Sequence, residues 1–140
     1  MKKVLFPYGQ KQLEYHFDEQ ELVGVLESSI ESYVPEADGW TLVKKALQSP
    51  VGSESLSQLS RGKDKIVIIA SDHTRPVPSK IIIPQMLAQI REGNPNADIT
   101  ILIATGCHRE TTKEELIDKF GEEIVANEKI YVHDCDEKDK

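Results

Sequence analysis

The stretch KIVIIASDHTRP (Lys65–Pro76) begins with the apolar and largely β-branched run KIVIIA. Polar residues and a proline follow this run at once. A run of this kind is typical of a strand buried on both faces of a parallel sheet. The stretch DITILIATGCHRE (Asp98–Glu110) repeats the arrangement further along the chain. The two stretches predict neighbouring buried strands over Lys65–Ala70 and Asp98–Ala104, each ending in polar side chains.

Helical patterns separate and follow these two strands, and a third strand pattern closes the series. The predicted elements are a helix capped by Ser79 and running to about Glu92, a helix from a Thr111–Glu114 capping box to about Phe120, a helical turn over Glu122–Asn127 and a strand over Lys129–His133. Strands and helices that alternate at this spacing predict right-handed βαβ units. We therefore expect an α/β fold, with a Rossmann-like parallel sheet layer and flanking helices.

The part of the chain before these strands is less regular. Residues 2–6 and 12–17 alternate apolar and polar side chains around a glycine-containing turn, which predicts an N-terminal β-hairpin. Residues 18–37 are expected to be irregular or extended. A helix over Asp38–Ser49, with its first residue as N-cap, and a short helix over Leu56–Ser60 are expected to follow.

Length and composition agree with a folded domain. The chain has 140 residues, of which 39% are hydrophobic and 29% charged, and a domain of this size buries about 68–70% of its unfolded surface. We predict one N-terminal α/β domain over residues 1–140, and we expect it to be a fragment of a larger enzyme because the sequence stops in a polar segment directly after a predicted strand. The net charge of −7 argues against nucleic acid as a partner.

The two cysteines, Cys107 and Cys135, lie in a chain without a signal peptide or a long apolar stretch. They lack the spacing of a zinc site and are expected to be reduced thiols. The sequence therefore predicts a cytoplasmic protein without a membrane partner, and it offers no metal ligand set.

The polar residues with chemical potential lie at the carboxyl ends of the two predicted strands. Ser71, Asp72, Thr74 and Arg75 follow the first strand, and Thr105 and His108 follow the second. In open α/β sheets, ligands bind beyond these ends, so adjacent parallel strands would bring Arg75 and His108 to one cleft. Each loop also leads into a helix N-terminus, which favours anions. The collection suits a substrate carboxylate or a phosphate.

Structural roles compete with functional ones at several of these positions. Asp72 and Arg75 could simply pair with each other and hold the loop, without contacting a ligand. His73 is more readily explained by packing or capping than by catalysis. Catalysis and structure are evenly balanced for His108. Cys107 is expected to pack as a small hydrophobic residue rather than to act as a nucleophile.

The segments Asp72–Pro76 and Ala104–Arg109 closely resemble the amino-terminal region of the nickel-pincer lactate racemases. The stretches at residues 50–53, 61–63 and 114–122 resemble the same family, so the likeness extends over nearly the whole chain. Cys107 departs from the family pattern, in which an aromatic residue is common at this position.

The resemblance implies an α/β enzyme with two domains around a cleft. Its cofactor would be a nickel-pincer nucleotide, a pyridinium mononucleotide whose thioamide and thiocarboxylate arms hold nickel. By the same resemblance, Asp72 and Arg75 would contact cofactor or substrate, and His108 would be one of two acid/base histidines. The second histidine, the lysine that tethers the cofactor and the nickel ligand would lie beyond residue 140, so the isolated fragment is expected to be inactive.

This chemistry fits the residues. Inverting C2 of a 2-hydroxy acid by hydride removal also requires the hydroxyl proton to leave, and an imidazole with a pKa of about 6.5 is well matched to accept it. The guanidinium of Arg75 can hold a carboxylate through paired hydrogen bonds. Two alternatives stay open: a relative acting on another 2-hydroxy acid, and a non-catalytic α/β module that binds a phosphate or nucleotide. The second is weakened because the sequence has no glycine-rich phosphate loop.

Overall fold

The computed structural model describes residues 1–137, and its internal contacts group the chain into two units, Met1–Glu36 and Ala37–Lys140. The first unit contains β1 (Lys2–Tyr8) and β2 (Lys11–Phe17), which pair antiparallel and confirm the predicted hairpin. Gly9 turns the chain between the strands at a φ of 57°, a backbone conformation that favours glycine. The segment expected to be irregular contains one short 3-10 helix, at Ser29–Ser32.

The second unit has a three-stranded parallel sheet with strand order β3-β4-β5. Its elements in chain order are α1 (Gly39–Gln48), α2 (Leu56–Leu59), β3 (Lys65–Ser71), α3 (Ser79–Gly93), β4 (Asp98–Ala104), α4 (Lys113–Phe120), α5 (Glu122–Asn127) and β5 (Lys129–Val132). The predicted α/β class is thereby confirmed. Within residues 1–137, no helix combines the length and hydropathy that crossing a membrane would require.

The core of this unit lies on one face of the sheet, called here the inner face. Ile101 and Ile103 of β4 are completely buried there, together with side chains from the neighbouring strand and from α3, α4 and α5. The main helical contributors are Leu87 and Ile90 of α3 and Phe120 of α4. Burying each such side chain contributes roughly 1.5–3 kcal/mol, so this face is the main source of stability.

Replacing Ile101 with alanine should lower the free energy of unfolding by about 2–5 kcal/mol, because the surrounding residues of the inner face cannot fully close the cavity that is left. Thermal and urea denaturation of the 140-residue chain would measure the loss. Val51→Ala is the matched control, since Val51 is 100% exposed and should leave stability almost unchanged. Equal stability of the two variants would contradict the assignment of the core.

The opposite, outer face of the sheet is partly exposed, so the prediction that the strands are buried on both faces is wrong. Val67 and Ile69 of β3 are 58% and 72% exposed, because the helices that pack on this sheet lie on its inner face. The physical reason is topological. Right-handed connections that add β4 and then β5 in the same direction carry their helices over the same face of the sheet.

Two predicted helix caps are shifted by one residue. The N-cap of α4 is Thr112 rather than Thr111, and it forms a reciprocal capping box with Glu115. Thr111 is instead buried and bonds to another loop. The N-cap of α3 is Pro78, without a side-chain hydrogen bond, and the predicted cap Ser79 is the first helical residue. The Asp38 cap of α1 is confirmed by its hydrogen bond from the Thr41 amide.

Candidate functional site

The loops after β3 and β4 leave the sheet side by side, because the strands are parallel neighbours paired through to Ser71 and Ala104. A cavity of about 470 Å³ lies between them at the carboxyl ends of the strands. Its lining includes Arg75 from the first loop and His108 from the second. The expectation that adjacent strands bring these two side chains to one cleft is confirmed.

The carboxylate of Asp72 joins the two loops. It is 1% exposed, and its Oδ2 lies 2.6 Å from Nδ1 of His108. Its Oδ1 accepts hydrogen bonds from the hydroxyl of Thr74 at 2.7 Å and from the Thr74 amide at 3.2 Å. The alternative in which Asp72 pairs with the Arg75 side chain is therefore wrong. The contact between those residues is a backbone bond, from the Arg75 amide to the Asp72 carbonyl at 3.3 Å.

Asp72 stays ionised at neutral pH despite its burial. Burial alone would raise its pKa, but the hydrogen bonds from Thr74 and His108 outweigh burial and lower the pKa from 3.8 to about 2. An ionised carboxylate at Nδ1 holds the proton of a neutral imidazole on that nitrogen. Nε2 of His108 is then the nitrogen that can accept a proton, on a side chain that is 44% exposed.

This shift has a consequence for acid stability. A carboxylate whose folded pKa is depressed stabilises the protein above its unfolded pKa, and the stabilisation is lost as pH falls through the folded value. For Asp72 the loss should occur between pH 3.8 and about 2. Melting curves of the chain and of Asp72→Asn should therefore differ most above pH 4 and converge towards pH 2. Curves that stay equally separated down to pH 2 would contradict the lowered pKa.

Ser71 and Arg75 are the side chains that the site offers most directly to a ligand. The hydroxyl oxygen of Ser71, at the end of β3, is buried and has no hydrogen-bond partner among residues 1–137. Because an unsatisfied buried hydroxyl is costly, a polar ligand atom at this position would be favourable. The Arg75 side chain is exposed, while its carbonyl accepts a hydrogen bond from Nζ of Lys119 at 2.8 Å, which attaches the loop to α4.

Thr105 is more deeply embedded than the other predicted ligand-binding residues. It is 1% exposed, and its hydroxyl donates to the backbone carbonyl of His133 at 2.7 Å. The Nδ1 atom of His133 lies 3.1 Å from the same hydroxyl. Thr105 thus connects the loop after β4 to the end of β5. Its role as a ligand contact stays a prediction.

The sequence did not anticipate a second connection between the loops, centred on Glu115. Its carboxylate accepts two hydrogen bonds from Arg109, at 2.9 and 2.6 Å, and one from the Thr112 amide. The Arg109 hydrogen bonds lower the pKa of Glu115 to about 2. His73 lies 3.7 Å from the same carboxylate and 3.1 Å from the Thr111 hydroxyl. The sequence pattern that could have pointed to Glu115 is the spacing of Thr112 and Glu115, which forms a capping box one residue beyond the predicted one.

Cys107 is exposed, so the expectation that it packs as a small hydrophobic residue is wrong. The group of three potential metal ligands that the described residues bring together also falls outside the cavity. Among residues 1–137, the one group of three close enough to hold an ion is Asp134, Cys135 and Asp136, in the segment after β5. The loops after β3 and β4 bring a buried carboxylate, an imidazole and a guanidinium to the cavity.

Together, the fold and site define an α/β domain whose strand-end loops contribute a carboxylate, an imidazole and a guanidinium to a cleft. The family model described as "Lactate racemase N-terminal domain" matches residues 8–140. The chain belongs to this family, and the resemblance inferred from the strand-end motifs is confirmed.

Individual relatives agree with this assignment. The lactate racemase of Thermoanaerobacterium thermosaccharolyticum is 46% identical over 134 residues, which cover 96% of this chain and 32% of the relative. The lactate racemase of Lactiplantibacillus plantarum is 45% identical over 133 residues, covering 95% and 31%. The solved lactate racemase apoprotein from T. thermosaccharolyticum superposes with a TM-score of 0.82 at 44% identity, over 95% of this chain and 30% of that one. The chain thus spans about a third of the length of its relatives.

Proposed function

We propose that the chain is the N-terminal part of a cytoplasmic racemase that interconverts D- and L-lactate, with His108 as one of its acid/base groups. The observation that carries the proposal is the contact of 2.6 Å between buried Asp72 and His108 Nδ1, at the mouth of the strand-end cavity. The relatives that support it are named lactate racemases. Because the chain spans about a third of their length, other parts of the site are expected in the sequence that follows.

His108 would accept the hydroxyl proton of one lactate enantiomer at Nε2 as hydride leaves C2. The resulting imidazolium would be stabilised by the adjacent Asp72 carboxylate, which stays ionised at neutral pH. The intermediate is a planar keto acid, and return of hydride to its opposite face together with a proton to the carbonyl oxygen gives the other enantiomer. An acid/base group on that second side, which donates this proton, is expected from the rest of the enzyme, since the two hydroxyls point in different directions.

Arg75 would hold the substrate carboxylate by two parallel hydrogen bonds, which fix the plane of the acid relative to His108. Ser71 and Thr74 belong to the same loop as Arg75 and would add hydroxyl contacts to substrate or cofactor. This assignment is supported by the exposure of the Arg75 side chain at the cavity and by the unsatisfied Ser71 hydroxyl.

The cofactor we infer is the nickel-pincer nucleotide of this family. The polar groups present fit the nucleotide, because Ser71 and Arg75 offer a buried hydroxyl and a cation at one cavity. They do not form a group of three nickel ligands, since the only such group in residues 1–137 lies after β5. The chemistry supplied by the bound cofactor would be acceptance of hydride from C2 and its return.

The test is conversion of D-lactate into L-lactate by the cofactor-loaded full-length enzyme, followed by chiral chromatography. The 140-residue chain alone should show neither turnover nor retained nickel. Racemisation of a larger 2-hydroxy acid without lactate turnover would favour the alternative substrate. Nucleotide binding without any racemisation would favour the non-catalytic module.

A further inference from the structure

Two exposed thiols lie in neighbouring loops beside the candidate site. Cys107 is the third residue after β4, and Cys135 is the third residue after β5. The two strands are parallel neighbours, with Ile103 in register with Val132. Adjacent strands lie about 4.8 Å apart, and the Cα atoms of a disulfide are about 4.4–6.8 Å apart. The strand spacing therefore suits a bridge between the loops that leave β4 and β5.

Hydrogen bonds keep these two loops together beyond the last paired residues of the strands. The amide of His133 donates to the carbonyl of Ile103 at 3.0 Å, and the hydroxyl of Thr105 donates to the carbonyl of His133 at 2.7 Å. Each cysteine follows one side of this connection by two positions. The side-by-side arrangement of the strands thus extends to within two residues of both thiols.

Each of the two cysteines lies in a turn. The turn that contains Cys107 is closed by the His108 amide, which donates to the carbonyl of Thr105 at 3.0 Å. Next to Cys135, the amide of the following residue donates to the side chain of Asp134 at 2.9 Å. Both thiols are exposed and lie outside the core. Packing therefore does not explain them, and a small oxidant can reach both.

The two thiols also interact electrostatically. The pKa of the Cys135 thiol is raised, first by partial desolvation and then by nearby negative charges, among them that of Cys107. Exposed charges are largely screened beyond a Debye length of about 8–10 Å, so such an effect requires a short distance. It agrees with the proximity that the strand register and the loop hydrogen bonds give to the two residues.

We propose that Cys107 and Cys135 form a redox modification site, in which hydrogen peroxide joins them in a reversible disulfide. One thiolate attacks a peroxide oxygen and breaks the O–O bond, which gives a sulfenic acid and a hydroxide that takes up a proton. The sulfur of the second thiol then displaces water from the sulfenic sulfur, and the S–S bond forms. Two thiols and one peroxide thus yield one disulfide and two water molecules, so the sulfurs are oxidised and the peroxide is reduced.

The disulfide would act on the candidate base through the backbone. Cys107 directly precedes His108, whose Nδ1 lies 2.6 Å from the carboxylate of Asp72. Oxidation would fasten the turn that carries His108 to the loop after β5, so the imidazole could no longer adjust freely to Asp72 and to a substrate. The effect on turnover rests on the proposed function, whereas formation of the disulfide does not.

Oxidation of the 140-residue chain tests the modification site without measuring activity. After treatment with hydrogen peroxide, peptide mapping by mass spectrometry should find Cys107 and Cys135 linked within one chain, and dithiothreitol should release both thiols. The matched control combines Cys107→Ser with Val51→Cys, which moves one thiol to a fully exposed position between α1 and α2. Because the two thiols of this control are not held together, it should close roughly tenfold or more slowly.

Three results of this experiment would overturn the proposal. They are equal rates in the two proteins, disulfides that join separate chains, and sulfinic or sulfonic acids at both positions without a link between them. Each of these results concerns the thiols alone, so it would leave the proposed racemase activity to its own assay.

Nuclear magnetic resonance of the 140-residue chain tests the connection to the candidate base. The imidazole signals of His108 should shift on oxidation and return with dithiothreitol, while those of His16 in β2 should stay unchanged. Unchanged His108 signals in a fully oxidised chain would overturn this connection.

Turnover of the cofactor-loaded full-length enzyme gives the functional measurement. Peroxide should lower lactate turnover and dithiothreitol should restore it, whereas Cys135→Ser should not show this reversible loss. A loss that is equal in both enzymes and is not reversed by dithiothreitol would contradict a regulatory role of the disulfide.

Discussion

In the full-length enzyme, His108→Ala should lower the rate of lactate racemisation roughly 10²- to 10⁴-fold, the usual contribution of a positioned general base. Cofactor attachment should be largely preserved, because the imidazole would act on the substrate proton. The measurements are turnover by chiral chromatography and cofactor content by mass spectrometry. The loss should appear in kcat, since proton transfer belongs to the chemical step.

His16→Ala is the matched control for this experiment. His16 is an exposed histidine in β2 that contacts Glu14 at 2.8 Å, and its removal should leave turnover unchanged. If His108→Ala retained near-normal activity, the Asp72–His108 pair would have a structural role and the proposed base would be misplaced.

Arg75→Lys should be almost as damaging as Arg75→Ala. An ammonium group is a point charge and cannot reproduce the two parallel hydrogen bonds that a guanidinium makes to a carboxylate. Hydrogen bonds to charged groups contribute about 1.5–3 kcal/mol, so we expect a loss of roughly 10- to 100-fold in kcat/KM. Both variants should keep a normal Tm, because the Arg75 side chain is exposed.

Arg91→Lys is the matched control for the guanidinium. Arg91 forms the same paired geometry with Glu128, at 2.8 and 2.7 Å, on the outside of α3. Its replacement should change stability slightly and activity not at all. An Arg75→Lys enzyme with full activity would remove Arg75 from the substrate carboxylate.

Much of the fold could be predicted because its signals are local. The apolar runs of β3 and β4 and the turn residues between them define strands, helices and their order. The contact between Asp72 and His108 has no local sequence signal, because 36 positions separate the two residues and only the sheet register brings them together. From the sequence alone, the nearby Arg75 was the partner that we considered for Asp72.

The errors have the same origin in tertiary structure. Thr111 and Thr112 are adjacent and chemically alike, so local propensity could not decide which one caps α4. The Thr111 hydroxyl instead contacts His73 across the two loops, and Thr112 caps α4. Burial of β3 on both faces was wrong because the strand order, which the composition of β3 does not specify, places the connecting helices on the inner face alone.

Glu115 takes part in three structures at once: it caps α4, pairs with Arg109 beside the candidate base, and lies next to His73 in the opposite loop. Opening the first turn of α4 would therefore release both loops. Local unfolding generally occurs in contiguous cooperative segments. The helix start and the two loops should accordingly behave as a single such segment, so that fluctuations of α4 are transmitted directly to the cleft.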